Sequence, residues 1–458
     1  MTDSFENSNG DMRASKVRAD LNLWNEGIEE GERQSKFCKL ATSPLVFYRG
    51  TNHLFWSDFA GDKRLGYFGS EKTKTWLQGD LHVYNFGSYD NSKGEIVYDL
   101  NDFDDAIIAD YQYDLWRMAV SIILVAYQNN DLSIGQQEMV LDSFSQSYLD
   151  TMRACRKSKK NDFGHATRHS TYGKLKQFLS SVEGQYNREG MLNRWAPKNK
   201  GKRRFDLSRD KLGEITETER SMILKAIPAY QHSLSKGLAK KDAYFKVEGI
   251  ARRLDAGTGS LGRSRYYVLI AGDKEDDPDK CRILDIKYQS KPTAYTFLGD
   301  EAQREYNDRF RNDAQRCMQA YQALTQRTDR HLGWVHLESK DVRFSSGYYL
   351  VRERSPYKEA FPCEALDTRA SFSALCEQWG EILAASHTRA NKDLPQSLLQ
   401  LVGNQEGAFR NLVKEIAFRY ADQVKSDWKS FVTSSDLFVD ECKEQYFVPS
   451  SYRDLLPH

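Results

Sequence analysis

Cysteine is sparse and irregular in this sequence. The seven that occur, Cys38, Cys155, Cys281, Cys317, Cys363, Cys376 and Cys442, are odd in number and form no CxxC. That excludes a disulfide-stapled scaffold and speaks against zinc, so reduced thiols and a cytoplasmic protein are expected. Long apolar runs are missing too. The longest, around residues 118–127, falls far short of a membrane span, and no apolar run follows a basic start. Neither a membrane partner nor a signal peptide is expected. Nor does either charge dominate: the net charge is +1, which nominates no partner.

Core material, by contrast, is plentiful. The chain is 40% hydrophobic with 23 Phe, 25 Tyr and 8 Trp, a packed globular composition. Its 458 residues exceed one ordinary core, so two lobes are expected. Only residues 1–16 read as a disordered tail, polar and without apolar period. Charge is uneven in place. Residues 153–204 hold fifteen Lys and Arg against three Asp and Glu. The plain reading is a solvated basic insertion; the functional one is a surface for an anionic ligand. The segment lacks the aromatic interleaving of single-strand binders, so nucleic acid is not an expected partner.

Periodicity orders the elements. Residues 17–45 read as helix then loop, and VFYRGTNHLFWSDFAG (46–61) as a strand or buried segment. TWLQGD and GEIVYDL read as short strands. Residues 113–130 read as a buried helix that continues over 131–152, and 225–239 as helical. RSRYYVLIAG (263–272) and CRILDIKYQ (281–289) read as a hairpin, with a second strand pair around 333–354. Residues 300–328 and the chain from Ser371 onward read as helical.

Three motifs carry chemistry. DAGTGSLGRSRYYV places Gly257, Gly259, Ser260 and Gly262 before a strand, where backbone amides can approach phosphate oxygens. The following strand argues against a dinucleotide fold, which needs a helix there, and for a kinase-type glycine loop. Such a loop demands a lysine on the next strand, and Lys287 stands there among Ile283, Leu284 and Ile286. The second and third motifs are acidic. In GDLHVYN, Asp80 can serve as base and Asn85 can offer an amide oxygen to magnesium. In LNDFDDA, Asp102 and Asp104 can ligate the same hard cation. A hairpin returning GEIVYDL beside GDLHVYN would join them. His82 reads best as a hydrogen-bonded structural histidine. An EF-hand is excluded, because the required glycine and closing glutamate are missing.

Taken together, GDLHVYN, NDFDDA and YQYDLWRMA resemble the catalytic half of aminoglycoside phosphotransferase and choline-kinase-like enzymes. FYRGTNHLF, DAGTGSLGRSRYYVLIAG, ILDIKYQSKP, YYLVRER, WGEILAASHTRA and RYADQ extend a closer resemblance to the bacterial domain-of-unknown-function 2252 family over about residues 43–423. The resemblance implies an α+β, two-lobed, protein-kinase-like fold with a small antiparallel nucleotide lobe and a larger helical catalytic lobe. It also implies circular permutation, since Asp80 and Asp102 precede Gly257 and Lys287. The lobes are expected at 17–240 and 356–458 (catalytic) and 241–355 (nucleotide). Implied roles are Asp80 as base, Asn85, Asp102 and Asp104 as magnesium ligands, and Gly257, Gly259, Ser260, Gly262 and Lys287 on the phosphates. Val351, Arg352 and Glu353 would form the adenine hinge, and Asp114 would support the catalytic loop. The usual glutamate partner of the lysine is not obvious; Glu301 and Glu305 are candidates, and Gln319 falls where relatives offer an acid.

The expected function is an ATP- and magnesium-dependent phosphotransferase acting on a small-molecule or protein hydroxyl. A nucleotide-binding pseudokinase and an adenylyl transferase on the same fold are the alternatives. A two-metal phosphohydrolase leaves the glycine loop and Lys287 unexplained.

Overall fold

The computed structural model describes residues 3–129, 132–157, 163–234, 236–239, 242–254, 264–274, 277–338 and 344–434, with side chains of the first helix from residue 12. Among these, twelve strands form: β1 (Lys74–Leu77), β2 (Phe86–Asp90), β3 (Ile96–Leu100), β4 (Ile107–Asp110), β5 (Lys198–Asn199), β6 (Lys202–Arg203), β7 (Leu212–Gly213), β8 (Val247–Arg253), β9 (Arg265–Ile270), β10 (Arg282–Tyr288), β11 (Gly333–Leu337) and β12 (Gly347–Glu353). The rest is mainly helical, so the chain is a mixed α+β protein.

The largest sheet is antiparallel and runs β11-β12-β10-β9-β8-β7. Its central strands are apolar on both faces, which demands cover on both. Tyr266, Val268, Ile270, Leu284 and Ile286 pack with Ile223, Ile227 and Tyr230 of helix Glu217–Ser233. On the other face Tyr267, Leu269 and Ile283 pack with Leu192 and Trp195 of helix Arg188–Trp195. Helices Arg188–Trp195 and Glu217–Ser233, expected with the first catalytic part, therefore cover the two faces of the sheet. The expected hairpin of β9 and β10 and the pair β11–β12 are both present.

The main core lies among the helices. Fifteen residues of helix Gln112–Asn129 are buried, and it packs on helix Glu406–Val432. Helix Ile134–Lys157 packs on helix Arg369–Ala390, where Gly380 leaves no room for a Cβ against the Phe144 carbonyl. Two expectations change here. Residues 46–61 are helical, as Pro44–Gly50 and Asn52–Phe59. Ser43 caps the first of these and Pro44 opens it, and that local signal overrides the strand-like composition. The first helix, Asp3–Trp24, takes in most of the expected tail. Arg13 fastens it, bonding Asp58 and Asp427 at 2.7 Å each. Cys155, Cys281, Cys317, Cys363 and Cys376 are free thiols. No helix among the described residues is long and apolar enough to cross a membrane.

Candidate active site

β1 leads into the first polar cluster, and buried Asp114 fixes the turn. It accepts from the backbone N–H groups of Gln78 (2.6 Å) and Gly79 (3.0 Å). Asp114 sits in the first turn of helix Gln112–Asn129, where the helix dipole favours a carboxylate. This is the supporting position expected of it. Asn52 and Trp56 both donate to the Gly79 carbonyl at 3.1 Å.

Asp80 follows. Arg117, fully buried, donates through Nε to its Oδ1 at 2.9 Å and lies 4.3 Å above the Tyr48 ring. Burial pushes the Asp80 carboxyl up to about 7, against the pull of Arg117. A carboxyl near neutrality can take and return a proton at neutral pH. His82 Nε2 stands 3.9 Å from Asp80 Oδ2. Burial holds this imidazole well below its ordinary value, and its Nδ1 has no hydrogen-bond partner. It is thus a neutral buried histidine rather than a fully hydrogen-bonded one. Asn85 donates its amide nitrogen to the Asp80 carbonyl at 2.9 Å, which turns its oxygen the other way.

The β2–β3 hairpin brings the second cluster back beside the first. It pairs Phe86 with Leu100, and the Asn101 N–H then donates to the Asn85 carbonyl at 2.9 Å. Asp102 has φ of 58°, a left-handed conformation uncommon outside glycine. Strain of this kind persists only where surrounding contacts over-determine it. Here they do. Gln78 accepts from the Asp80 N–H at 2.9 Å and donates to the Asp102 carbonyl, tying the two clusters together. Buried Arg316 donates to the carbonyls of Ala106 (2.6 Å) and Asp104 (2.7 Å). The Cys317 thiol donates to Phe103 O (3.2 Å) and Gln289 Oε1 (2.8 Å).

Lys287 joins these loops from β10. Its Nζ lies 3.2 Å from Asp102 Oδ1 and also contacts Asp104 Oδ2. Burial works against the ammonium charge, but Asp102 and then Asp104 outweigh it and hold Lys287 above the ordinary lysine value. The pairing likewise holds Asp102 below the ordinary carboxylate range. Gln289 donates to the other oxygen of Asp104 at 3.1 Å. The acid partner of Lys287 is therefore the second cluster itself. Glu301 and Glu305 are exposed on helix Asp300–Arg309 and form no ion pair with it, and Gln319 is half-buried on the next helix. Hard oxygen donors at Asn85, Asp102 and Asp104 suit magnesium by chemistry, with the Lys287 ammonium as the cation between the two aspartates.

The end of β12 behaves differently from an open hinge. Val351 is buried mid-sheet, paired with Ile286 on one side and Gly333 on the other. Glu353 is taken by Arg188, Arg282 and His331. His331 Nδ1 lies 3.1 Å from Asp329 and 3.0 Å from Glu353. These three residues could ligate a metal by composition. The guanidinium groups of Arg188 and Arg282 already neutralise Glu353, however, which argues against a dication. Burial opposes the His331 charge, yet the two acids hold it well above its ordinary value. Arg352 bonds the Tyr321 hydroxyl. Gly257, Gly259, Ser260 and Gly262 lie outside the described residues.

The basic segment is partly structural. Arg203 is buried and donates to Asp279 (2.7 Å), Pro278 O (2.6 Å) and Ala196 O (3.0 Å). Gln78, Arg117, Gln289, Arg316 and Cys317 were not singled out by sequence reasoning. Gln78, Arg117 and Gln289 lie within the quoted motifs, but nothing local marks their roles, which rest mainly on contacts distant along the chain.

No curated protein and no solved structure matches the chain. One family model does, over residues 30–434, a span that takes in both acidic clusters and the Lys287 strand. By that match the chain belongs to the DUF2252 family, described as "Uncharacterized protein conserved in bacteria".

Proposed function

We propose that the protein is an ATP- and magnesium-dependent phosphotransferase with a circularly permuted, two-lobed kinase-like arrangement. The observation that carries this reading is the ion pairing of Lys287 with Asp102 and Asp104, beside Asp80. A strand lysine, a metal-competent acidic loop and a near-neutral carboxyl would then serve one nucleotide site. That chemistry suits transfer by positioning and charge neutralisation. Lys287 would take the nucleotide's phosphates, with the segment holding Gly257, Gly259, Ser260 and Gly262 leading into β9. Magnesium, held by Asn85, Asp102 and Asp104, would supply neutralisation of phosphate charge. Asp80 would orient the acceptor hydroxyl and receive its proton, with Arg117 fixing the carboxylate and Gln78 fixing its distance from Asp102. The acceptor itself carries a hydroxyl of unassigned parentage.

Chain order supports the permuted reading: the acidic loops precede the lysine strand, and such a site needs only their spatial union. A nucleotide-binding pseudokinase is the second reading. What favours it is that Lys287 pairs with the metal-loop aspartates and not with a helix glutamate. Incubation with γ-labelled ATP, magnesium and a metabolite extract separates the two. Label transferred by the wild type and not by Asp80→Asn supports the enzyme; bound but untransferred nucleotide supports the pseudokinase.

A further inference from the structure

Beside the acidic loop, between the β2–β3 hairpin and the end of β12, lies a cavity of about 350 Å³. That volume suits a small polar metabolite. Its wall is charged where a ligand pocket is usually apolar. The carboxylates that line it are already engaged. Asp285 takes Arg265 at 2.7 and 2.5 Å, Asp90 takes the Ser355 hydroxyl at 2.6 Å, and Asp329 and Glu353 hold His331. The cations are not all matched. Arg352, Arg354 and Lys358 all line the cavity, and among the described residues none is in ion-pair contact with a carboxylate, although Asp285 and Asp102 act on Arg352 and Lys358 from farther off. Arg354 lies 5.0 Å over the Trp195 ring, with its buried Nε unpartnered.

A second cavity of about 200 Å³ abuts the first and shares Arg354 and Lys358 with it. Its far wall comes from the basic segment, through Arg194 and Trp195. The Nε1 of Trp195 is also buried without a partner. Unpaired cations and orphaned N–H donors around two joined cavities call for an anion that accepts several hydrogen bonds.

We propose that Arg352, Arg354 and Lys358 form a binding site for the phosphate group of a small phosphorylated ligand, separate from the Lys287 site. The guanidinium groups supply directional donors and the ammonium a point charge, a pairing suited to a phosphomonoester. Arg194 lends the outer rim, which gives the basic segment a role that its charge alone did not define. The site does not depend on phosphoryl transfer, so its failure and that of the proposed function are separable.

Calorimetric titration with inorganic phosphate tests this on the full chain. The wild type binds phosphate, and Lys358→Gln and Arg352→Gln/Lys358→Gln weaken it, by about tenfold or more for the pair. Lys63→Ser, at an exposed lysine away from both sites, binds it as the wild type does. Because Lys358 is exposed, the single variant keeps the fold, and melting curves verify this. Repeating the titration with saturating ATP assigns the source. Undiminished phosphate binding supports a separate phosphorylated ligand; competition shows that the nucleotide's own phosphates occupy the cavity and overturns the separate site. No phosphate binding by the wild type, unchanged binding in the cavity variants, or an equal loss in Lys63→Ser also overturns it.

Discussion

Gly79 and Asp105 meet with no space between them: a Cβ on Gly79 would drive into the Asp105 carbonyl. Gly79 also has φ of +84°, a conformation that side chains rarely adopt. The two acidic clusters can approach only because this position is glycine. Gly94 has a similar φ of +76° but nothing within 4 Å of a Cβ. Gly94→Ala should therefore cost about 1 kcal/mol, from backbone strain alone. Gly79→Ala should cost about 3 kcal/mol or more, because strain and overlap add. Urea denaturation of both variants checks the difference; equal costs would mean that the loops are not in contact.

Asp80 gives a pH signature. Its carboxyl titrates near 7 in the folded chain, against about 3.9 when unfolded. Between those values the folded state binds the extra proton, so stability falls as pH rises through this window. Asp80→Asn should flatten that slope in melting curves. Phosphotransfer should rise with pH through about 7 and fall about 10²- to 10⁴-fold in the variant. A pH–rate profile without an inflection there would remove Asp80 from the role of base.

The His331 bridge behaves oppositely at its two ends. The imidazolium is held above the free value of about 6.5, so its contribution is full below that pH and lost as pH rises through the folded value. Glu353 is held below its ordinary value. Its contribution is full above about 4.3 and lost only as pH falls through the folded value. Raising pH from about 6 to about 9 should thus lower the wild-type melting temperature more than that of His331→Gln. Parallel curves would show that His331 is not charged in the fold.

The legible parts of this protein were those with local signals. The Lys287 strand declared itself by a charge within apolar residues, and that anomaly demanded a partner. Asp114 was legible through the resemblance of its motif, and β3 as the short strand GEIVYDL returning beside GDLHVYN. The partner of Lys287 was not legible, because helix periodicity pointed to nearby Glu301 and Glu305. The acids that pair with it, Asp102 and Asp104, lie more than 180 residues earlier. Nothing local marks Arg117 and Arg316; only the tertiary fold buries them against Asp80 and the Asp104 carbonyl. Residues 46–61 form a buried segment, as one expectation had it, but in helical form, because the Ser43 cap and Pro44 open a helix where composition suggested a strand.

The basic segment supplies a further test. Arg203 is buried in a lattice of hydrogen bonds, whereas Lys202 is exposed. Arg203→Ser should destabilise the protein by about 3 kcal/mol, by stranding its partners. Lys202→Ser should change stability by less than about 0.5 kcal/mol. Thermal melts read both, and a neutral Arg203→Ser would contradict the structural role.

The central claim is that Lys287 and Asp102 belong to one nucleotide site. Calorimetric titration of ATP, with and without magnesium, into wild type, Lys287→Ala and Asp102→Ala tests it most directly. The account predicts magnesium-dependent binding by the wild type that both substitutions abolish. Wild-type protein that is folded and binds no ATP, or variants that bind it equally well, would contradict it.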